Sequence, residues 1–487
     1  MSQVSKSRKL KVAMELLLAV LVLLVVLIDS DAVQPVLLAC AFYSVYQFWE
    51  AIASKGARPI ATVFWLYHAF FLLIPGWLQV INNFYPWARV ATDADMEYAL
   101  CAVTLGLWSF STAYQLRGRR VADAIVAAKS VTATRINALK IMLALGGSIP
   151  AMALIAIVGP ASFLQERSAL GEMIYQSDEL ALVYNAAKFS VFGVAIALAA
   201  YVENDRKSRS VVKRKRYLPV LSMFSLFCAA VATFVNNPLS SPRFHFLGML
   251  LGALLVLRPL RRRSTRIILW TTAPVFLYTL FPVVKNLGEA MSQQGDFLPD
   301  IGAYLIGGVD FDGLQQLANI ARMTEGLGIS WGSNFLSAIF FWVPRSLWAG
   351  KATITGALAA DYVGYEYSNL SAPLIGEALS GLGMLGVVVF FTALGWLAAR
   401  YDARYNASLT QRRLGLDRLL VGTVAGFLFI LLRGSLNAVF PQIGVSLLVV
   451  IALAPRLTGP GGALVQRFRR KTSVESVTNH APLKGTA

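Results

Sequence analysis

Three arginines stand beside proline or glycine where an apolar segment ends: Arg243 in FVNNPLSSPRFHF, Arg345 in FWVPRSLWAGK and Arg433 in LLRGSLNAVFPQ. A guanidinium stays charged and offers a planar fork of donors that matches phosphate oxygens. It is also more weakly hydrated than an ammonium, so it can grip a phosphate at a half-dry membrane surface. Asn237 and His245 share the turn with Arg243, and Trp348 and Lys351 follow Arg345. The complementary chemistry is proton transfer. Glu377, in SAPLIGEALSGLGMLG, opens an apolar segment near its outer rim and is a general-base candidate for a sugar hydroxyl. Asp361 and Glu366 lie among Tyr362, Tyr365 and Tyr367 in AADYVGYEYSN, and carboxylates beside aromatic faces suit carbohydrate.

Each of these residues has a plainer reading. Arg345 between Trp342 and Trp348 fits an interfacial anchor that snorkels from the bilayer. Asp361 and Glu366 fit a solvated loop, and Glu377 fits a charge favoured by a helix amino terminus. Gly381, Gly383 and Gly386 read as small residues that let helices approach.

The elements that must position these residues are membrane helices. The chain is 56% hydrophobic and 14% charged, with a mean hydropathy of +0.60. Its apolar stretches are continuous rather than alternating, which excludes a barrel and points to an all-α polytopic fold. Twelve spans are expected, at about 12–28, 33–52, 60–81, 97–116, 138–158, 180–202, 217–235, 244–257, 267–285, 376–399, 418–433 and 437–454. The first is read as a retained span, because the run after MSQVSKSRKLK ends in IDSDAVQP and not in a small-residue cleavage site. These spans divide the chain into a nine-span region (1–285), a large external loop (286–375), a three-span region (376–454) and a basic, disordered tail (455–487).

With both termini inside, most of the 44 Lys and Arg residues fall on the cytoplasmic side, as in ENDRKSRSVVKRKR and RPLRRRSTR. The net charge of +18 is therefore a signal of topology, and nucleic acid is not expected as a partner. Cys40, Cys101 and Cys228 fall inside spans without metal spacing and read as packing residues. Within the external loop, Phe311, Leu314, Leu317, Ile320 and Ala321 recur at helical spacing. The apolar run NFLSAIFFWVP is too short to span, so it is expected to be re-entrant or buried.

FLSAIFFWVPRSLWAGK, followed by GEALSGLGMLGVV and by the Arg433–Gly434 pair, resembles the Wzy-type O-antigen and exopolysaccharide polymerases. The shared elements are Pro344, Arg345, Trp348 and Lys351, then Glu377, then Arg433 and Gly434, with NNPLSSPRF similar to a further element of the family. The likeness covers roughly residues 230–445. It departs at Ala352, where the family often has proline.

The resemblance implies a membrane glycosyltransferase of GT-C-like architecture in the bacterial inner membrane. Such an enzyme transfers a growing chain from undecaprenyl pyrophosphate to a hydroxyl of a new lipid-linked oligosaccharide repeat on the outer face. Arg243, Arg345 and Arg433 would hold the pyrophosphate, Lys351 would assist, and Glu377 would be the base. No metal or other cofactor is expected, and a chain-length regulator and a flippase are the expected protein partners. The chain has no P-loop or Rossmann fingerprint, consistent with a donor that is not a nucleotide sugar. Two other functions share these features: a lipid-linked oligosaccharide flippase or other transporter, and a ligase of the O-antigen type.

Overall fold

The computed structural model describes residues 33–122, 132–165, 167–174, 178–207, 217–238, 240–257, 262–290, 300–411 and 413–458. The expected span at 12–28 and most of the expected tail lie outside them. The described chain is built of helices, with one short antiparallel pairing of Thr132–Ala133 on Leu457–Thr458.

The first described helices are α1 (Val33–Ala53), α2 (Pro59–Asn82), α3 (Asp93–Ala122), α4 (Ala138–Val158), α5 (Arg167–Ile174) and α6 (Asp178–Arg206). They are followed by α7 (Leu218–Val235), α8 (Arg243–Leu257) and α9 (Arg263–Ala290). Four short helices come from the long loop: α10 (Ile301–Gly307), α11 (Gly313–Leu327), α12 (Ser333–Ile339) and α13 (Thr355–Tyr362). The last three are α14 (Leu374–Thr410), α15 (Leu416–Arg433) and α16 (Leu436–Leu453).

Among the described residues seven of these helices are long and apolar enough to cross a membrane: α1, α2, α4, the Val183–Arg206 part of α6, α7, α14 and α16. The expected spans 97–116, 244–257, 267–285 and 418–433 are helical too, within α3, α8, α9 and α15, but are not among the seven. α8 is short, and α15 carries Asp417, Arg418 and Arg433. The outer surface identifies its solvent. α4 exposes Leu139, Met142, Ile149 and Ile157, and α7 exposes Val220, Met223 and Leu226, an apolar area far beyond what water-facing helices tolerate. The chain is a helical multi-pass membrane protein.

Local chemistry sets the helix ends and bends. Pro59 sits in the first turn of α2, and the N–H groups of Ile60 and Ala61 donate to the Asp402 carboxylate at 3.0 and 3.2 Å. Midway, α2 widens into a π-helical stretch, His68–Leu73, just before Pro75, whose ring and missing N–H disrupt the ordinary ladder. α8 and α15 meet along a double small-residue motif, Gly248 with Gly252 and Gly422 with Gly426. A Cβ on Gly426 would lie 2.4 Å from the Gly248 carbonyl oxygen, so only glycine permits this approach.

α14 is broken near its start. Leu382 leaves helical geometry and Gly383 takes φ +66°, a left-handed conformation open to glycine. The carbonyls of Ser380 and Gly381 accept from the N–H groups of Ser330 and Gly332, so a loop strand repairs the break. Gly383 therefore bends the helix, where the sequence had suggested packing.

The loop helices cover one end of the bundle. α11 and the turn before it bury the expected apolar face, with Phe311 in the turn and Leu314, Leu317, Ile320 and Ala321 in the helix all 1% exposed or less. Each such large side chain contributes roughly 1.5–3 kcal/mol of apolar burial. Its polar face is buried as well, through Gln315, Gln316 and Asn319, because the segment 87–88 and Tyr365 pack over it. α12 has the reverse polarity: Asn334 and Ser337 point inward, while Leu336, Ile339, Phe340 and Trp342 are exposed. The run NFLSAIFFWVP is thus a short helix and turn with a greasy outer face.

Candidate functional site

α8 begins at Arg243 and α15 ends at Arg433, and their glycine contact brings both residues to the same end of the bundle. Arg433 donates from Nε to the Asp310 carbonyl at 3.2 Å and from Nη2 to the Val309 carbonyl at 3.2 Å. Its guanidinium lies over the Phe244 ring at 5.3 Å, and Nη2 is 3.8 Å from Asp312 Oδ1. Tyr304 donates its hydroxyl to Asp310 Oδ2 at 2.8 Å. Burial and the Asp310 charge push the Tyr304 phenol up, and the charges of Arg243 and Arg433 act against that rise. The Tyr67 hydroxyl on α2 is buried without a hydrogen bond among the described residues, within reach of the charges on Arg433 and Asp312. Two half-buried arginines beside an orphaned hydroxyl are chemistry suited to an anion.

Asp312 closes this cluster from below. Its Oδ1 accepts from Ser371 at 2.5 Å and its Oδ2 from the Trp87 indole at 3.1 Å, and only 1% of the residue is exposed. Burial pushes its carboxyl above the usual range, with Arg433, Ser371 and Trp87 opposing.

The turn before Arg243 is braced by its asparagines. Asn237 donates to the carbonyls of Phe163 at 2.7 Å and Phe234 at 2.9 Å, and its side-chain oxygen accepts from the Ser240 N–H. Asn236 donates to the Lys188 carbonyl at 2.5 Å. His245 is buried edge-on to Phe189, with ring centroids 5.2 Å apart. Lys188, fully buried on α6, donates to Ser241 at 2.6 Å and lies over the Tyr184 ring. Sequence reading missed Lys188, although a lysine inside an apolar span is itself a signal.

Arg345 sits apart from this cluster. It is exposed, and it donates to the carbonyls of Lys351 at 2.9 Å and Ala352 at 3.3 Å. Lys351 in turn donates to the carbonyls of Phe341 and Val343, both at 2.8 Å. FWVPRSLWAGK is a turn tied by its own two cations, with Trp348 half-buried at its base.

Glu377 is fully buried, not at an open rim. Its Oε2 accepts from Asn334 at 2.9 Å and from Thr355 at 2.8 Å, and its Oε1 accepts from the Leu436 N–H at 2.8 Å. The carboxylate caps the start of α16 and fastens α12 and α13 to α14. The chain buries it because α12 and α13 fold back over the first turn of α14.

Of the carbohydrate candidates, Asp361 and Glu366 are exposed. Tyr365 donates to the Ala88 carbonyl at 2.6 Å and accepts from Asn319 at 3.2 Å, and burial raises its phenol. These contacts bring in Trp87 of YPWARV, which stacks on Tyr367. Trp87 was missed because a lone tryptophan in a short external turn reads as an interfacial residue. Among the described residues no group of three or more His, Cys, Asp or Glu side chains forms a metal site.

No family model, curated protein or solved structure matches the chain.

Proposed function

We propose that this protein is an integral-membrane glycosyltransferase that joins undecaprenyl-pyrophosphate-linked oligosaccharide repeats into a surface polysaccharide. The observation that carries this reading is that the glycine seam brings Arg243 to the same loop-covered end of the bundle as Arg433, which is bonded to the Asp310 carbonyl. In the proposed reaction the two guanidiniums bind the donor pyrophosphate and stabilise the charge that grows on it as the glycosyl bond breaks. Arg345 and Lys351 shape a turn over the same loop, and Glu377 positions the helix ends around it. The full proposal includes twelve spans in the bacterial inner membrane, cytoplasmic termini, a GT-C-like arrangement, and partnership with a chain-length regulator and a flippase.

The broken α14 favours a second reading, because transporters place ions and substrates at discontinuous helices. The break lies in the first turns of α14, however, and Met384–Thr410 is long enough to cross a bilayer by itself. That position suits an external surface reaction better than a midplane gate.

The test is complementation of a strain lacking the protein. Arg433→Ala and Arg243→Ala variants, expressed at normal levels, should yield single repeats and no polymer. Full-length polymer from both variants would overturn the proposal. Accumulation of lipid-linked repeats on the inner leaflet of the deletion strain would point to the flippase instead, and finished polymer that never reaches its final acceptor would point to a ligase.

A further inference from the structure

We infer that Trp87, Tyr365 and Tyr367 form a pyranose-binding platform next to the arginine pair. This rests on the glycosyltransferase reading for its biological meaning, though the binding site itself does not depend on it.

The platform is built before any ligand arrives. Gln315 grips the Trp87 backbone on both sides, accepting from its N–H at 3.1 Å and donating to its carbonyl at 2.8 Å. The indole N–H is fixed on Asp312 Oδ2 at 3.1 Å. Tyr365 is fastened through the Ala88 carbonyl, and its ring lies 6.2 Å from that of Trp87. Tyr367 stacks on Trp87 at 5.6 Å with an interplanar angle of 15°, and it remains 51% exposed. Tyr367 thus covers one face of the indole, and the ring that reaches solvent is Tyr367 itself, backed by a Trp87 held rigid from behind.

An exposed ring backed by a stacked neighbour selects a flat partner. A cage for a quaternary ammonium needs rings at steep angles to one another, and these rings are not so arranged. The C–H face of a pyranose is slightly positive and packs on the negative face of an aromatic ring. Its hydroxyls then need polar partners at the rim, where Glu366 stands exposed between the two tyrosines.

The position relative to the arginines is fixed by one carboxylate. Asp312 holds the Trp87 indole on Oδ2 and lies 3.8 Å from Arg433 on Oδ1. A saccharide on the platform therefore lies beside the anion cluster, and the platform takes a sugar close to the bond that joins it to pyrophosphate.

The experiment uses the full chain in nanodiscs with two probes read separately: an array of free bacterial pyranose oligosaccharides without phosphate, and farnesyl pyrophosphate. Tyr367→Ala should weaken saccharide retention about tenfold and leave farnesyl pyrophosphate binding in place, while Tyr367→Phe keeps both. Arg433→Gln should do the opposite. Absence of retention on any pyranose, or retention unchanged by Tyr367→Ala, overturns the platform. Quenching by brominated lipid that is lost in Tyr367→Ala while saccharide retention is unchanged makes the pair a bilayer anchor, and overturns it too. If saccharide retention depends on Tyr367 but Arg433→Gln leaves farnesyl pyrophosphate bound, the platform stands and the pyrophosphate reading falls.

Discussion

Asp312 joins the arginine cluster to the aromatic platform, and its titration should be visible in stability. The unfolded carboxyl titrates near 3.8 and the folded one higher, because burial disfavours its charge. The folded state therefore holds the proton more tightly. The stability this group contributes is full below about pH 4 and is lost as pH rises through the folded value. Asp312→Asn removes that loss, so the thermal midpoint of the wild type relative to the variant should fall as pH rises above about 4. Parallel midpoints across that range would show that the buried carboxylate ionises without cost.

Glu377 offers a sharper residue-scale contrast. If it braces helix ends, Glu377→Gln sets an amide N–H₂ against donors from Asn334, Thr355 or Leu436 and costs about 1–3 kcal/mol. The expected result is a lower thermal midpoint together with reduced polymer. Normal stability with abolished polymer would return Glu377 to the role of base. Residue type and neighbours single out Arg243, Arg433 and Tyr365 in the sequence, and the structure sets Arg433 against Asp312 and Tyr365 against the Ala88 carbonyl. The sequence could not show that Arg345 and Lys351 satisfy nearby carbonyls, or that Glu377 is covered, since both depend on how the loop folds back.

At the scale of elements, glycines do the positioning. The Gly248–Gly426 contact sets the separation of α8 and α15, and Gly426 lies about 10 Å along the helix from Arg433. Gly426→Leu should cost about 1–3 kcal/mol through overpacking and cut polymer formation, although the side chain touches no substrate. Wild-type polymer and an unchanged thermal midpoint would show that the seam can open freely. Gly383→Ala forces an alanine into a left-handed conformation and should cost about 1–2 kcal/mol, read as a lower thermal midpoint. Apolar periodicity located the long helices and the buried face of α11, because those patterns are local. It missed the break in α14, whose freed carbonyls are satisfied from a segment some fifty residues earlier.

For the whole molecule, the proposed orientation places the long loop and the far end of α14 on opposite sides of the bilayer. Cys40, Cys101 and Cys228 are buried, so a single new thiol can be followed by labelling. Leu347→Cys, at a position 81% exposed, should react with a membrane-impermeant maleimide added outside intact cells. Thr410→Cys, at the exposed end of α14, should react only after permeabilisation. Labelling of both from the same side would overturn the orientation.

α14 gives away a carboxylate near each end: Glu377 caps α16 at one face, and Asp402 caps α2 at the other. The bend at Leu382–Gly383 lies between them, and the unbroken stretch from Met384 to Asp402 rises about 27 Å, close to the roughly 30 Å of hydrocarbon in a typical bilayer. If the loop end lies outside, as proposed, the two caps would sit near opposite boundaries of the hydrocarbon. In a thicker lipid mixture both capped junctions would be drawn toward hydrocarbon, so bilayer composition alone should tune how firmly the loop end is assembled.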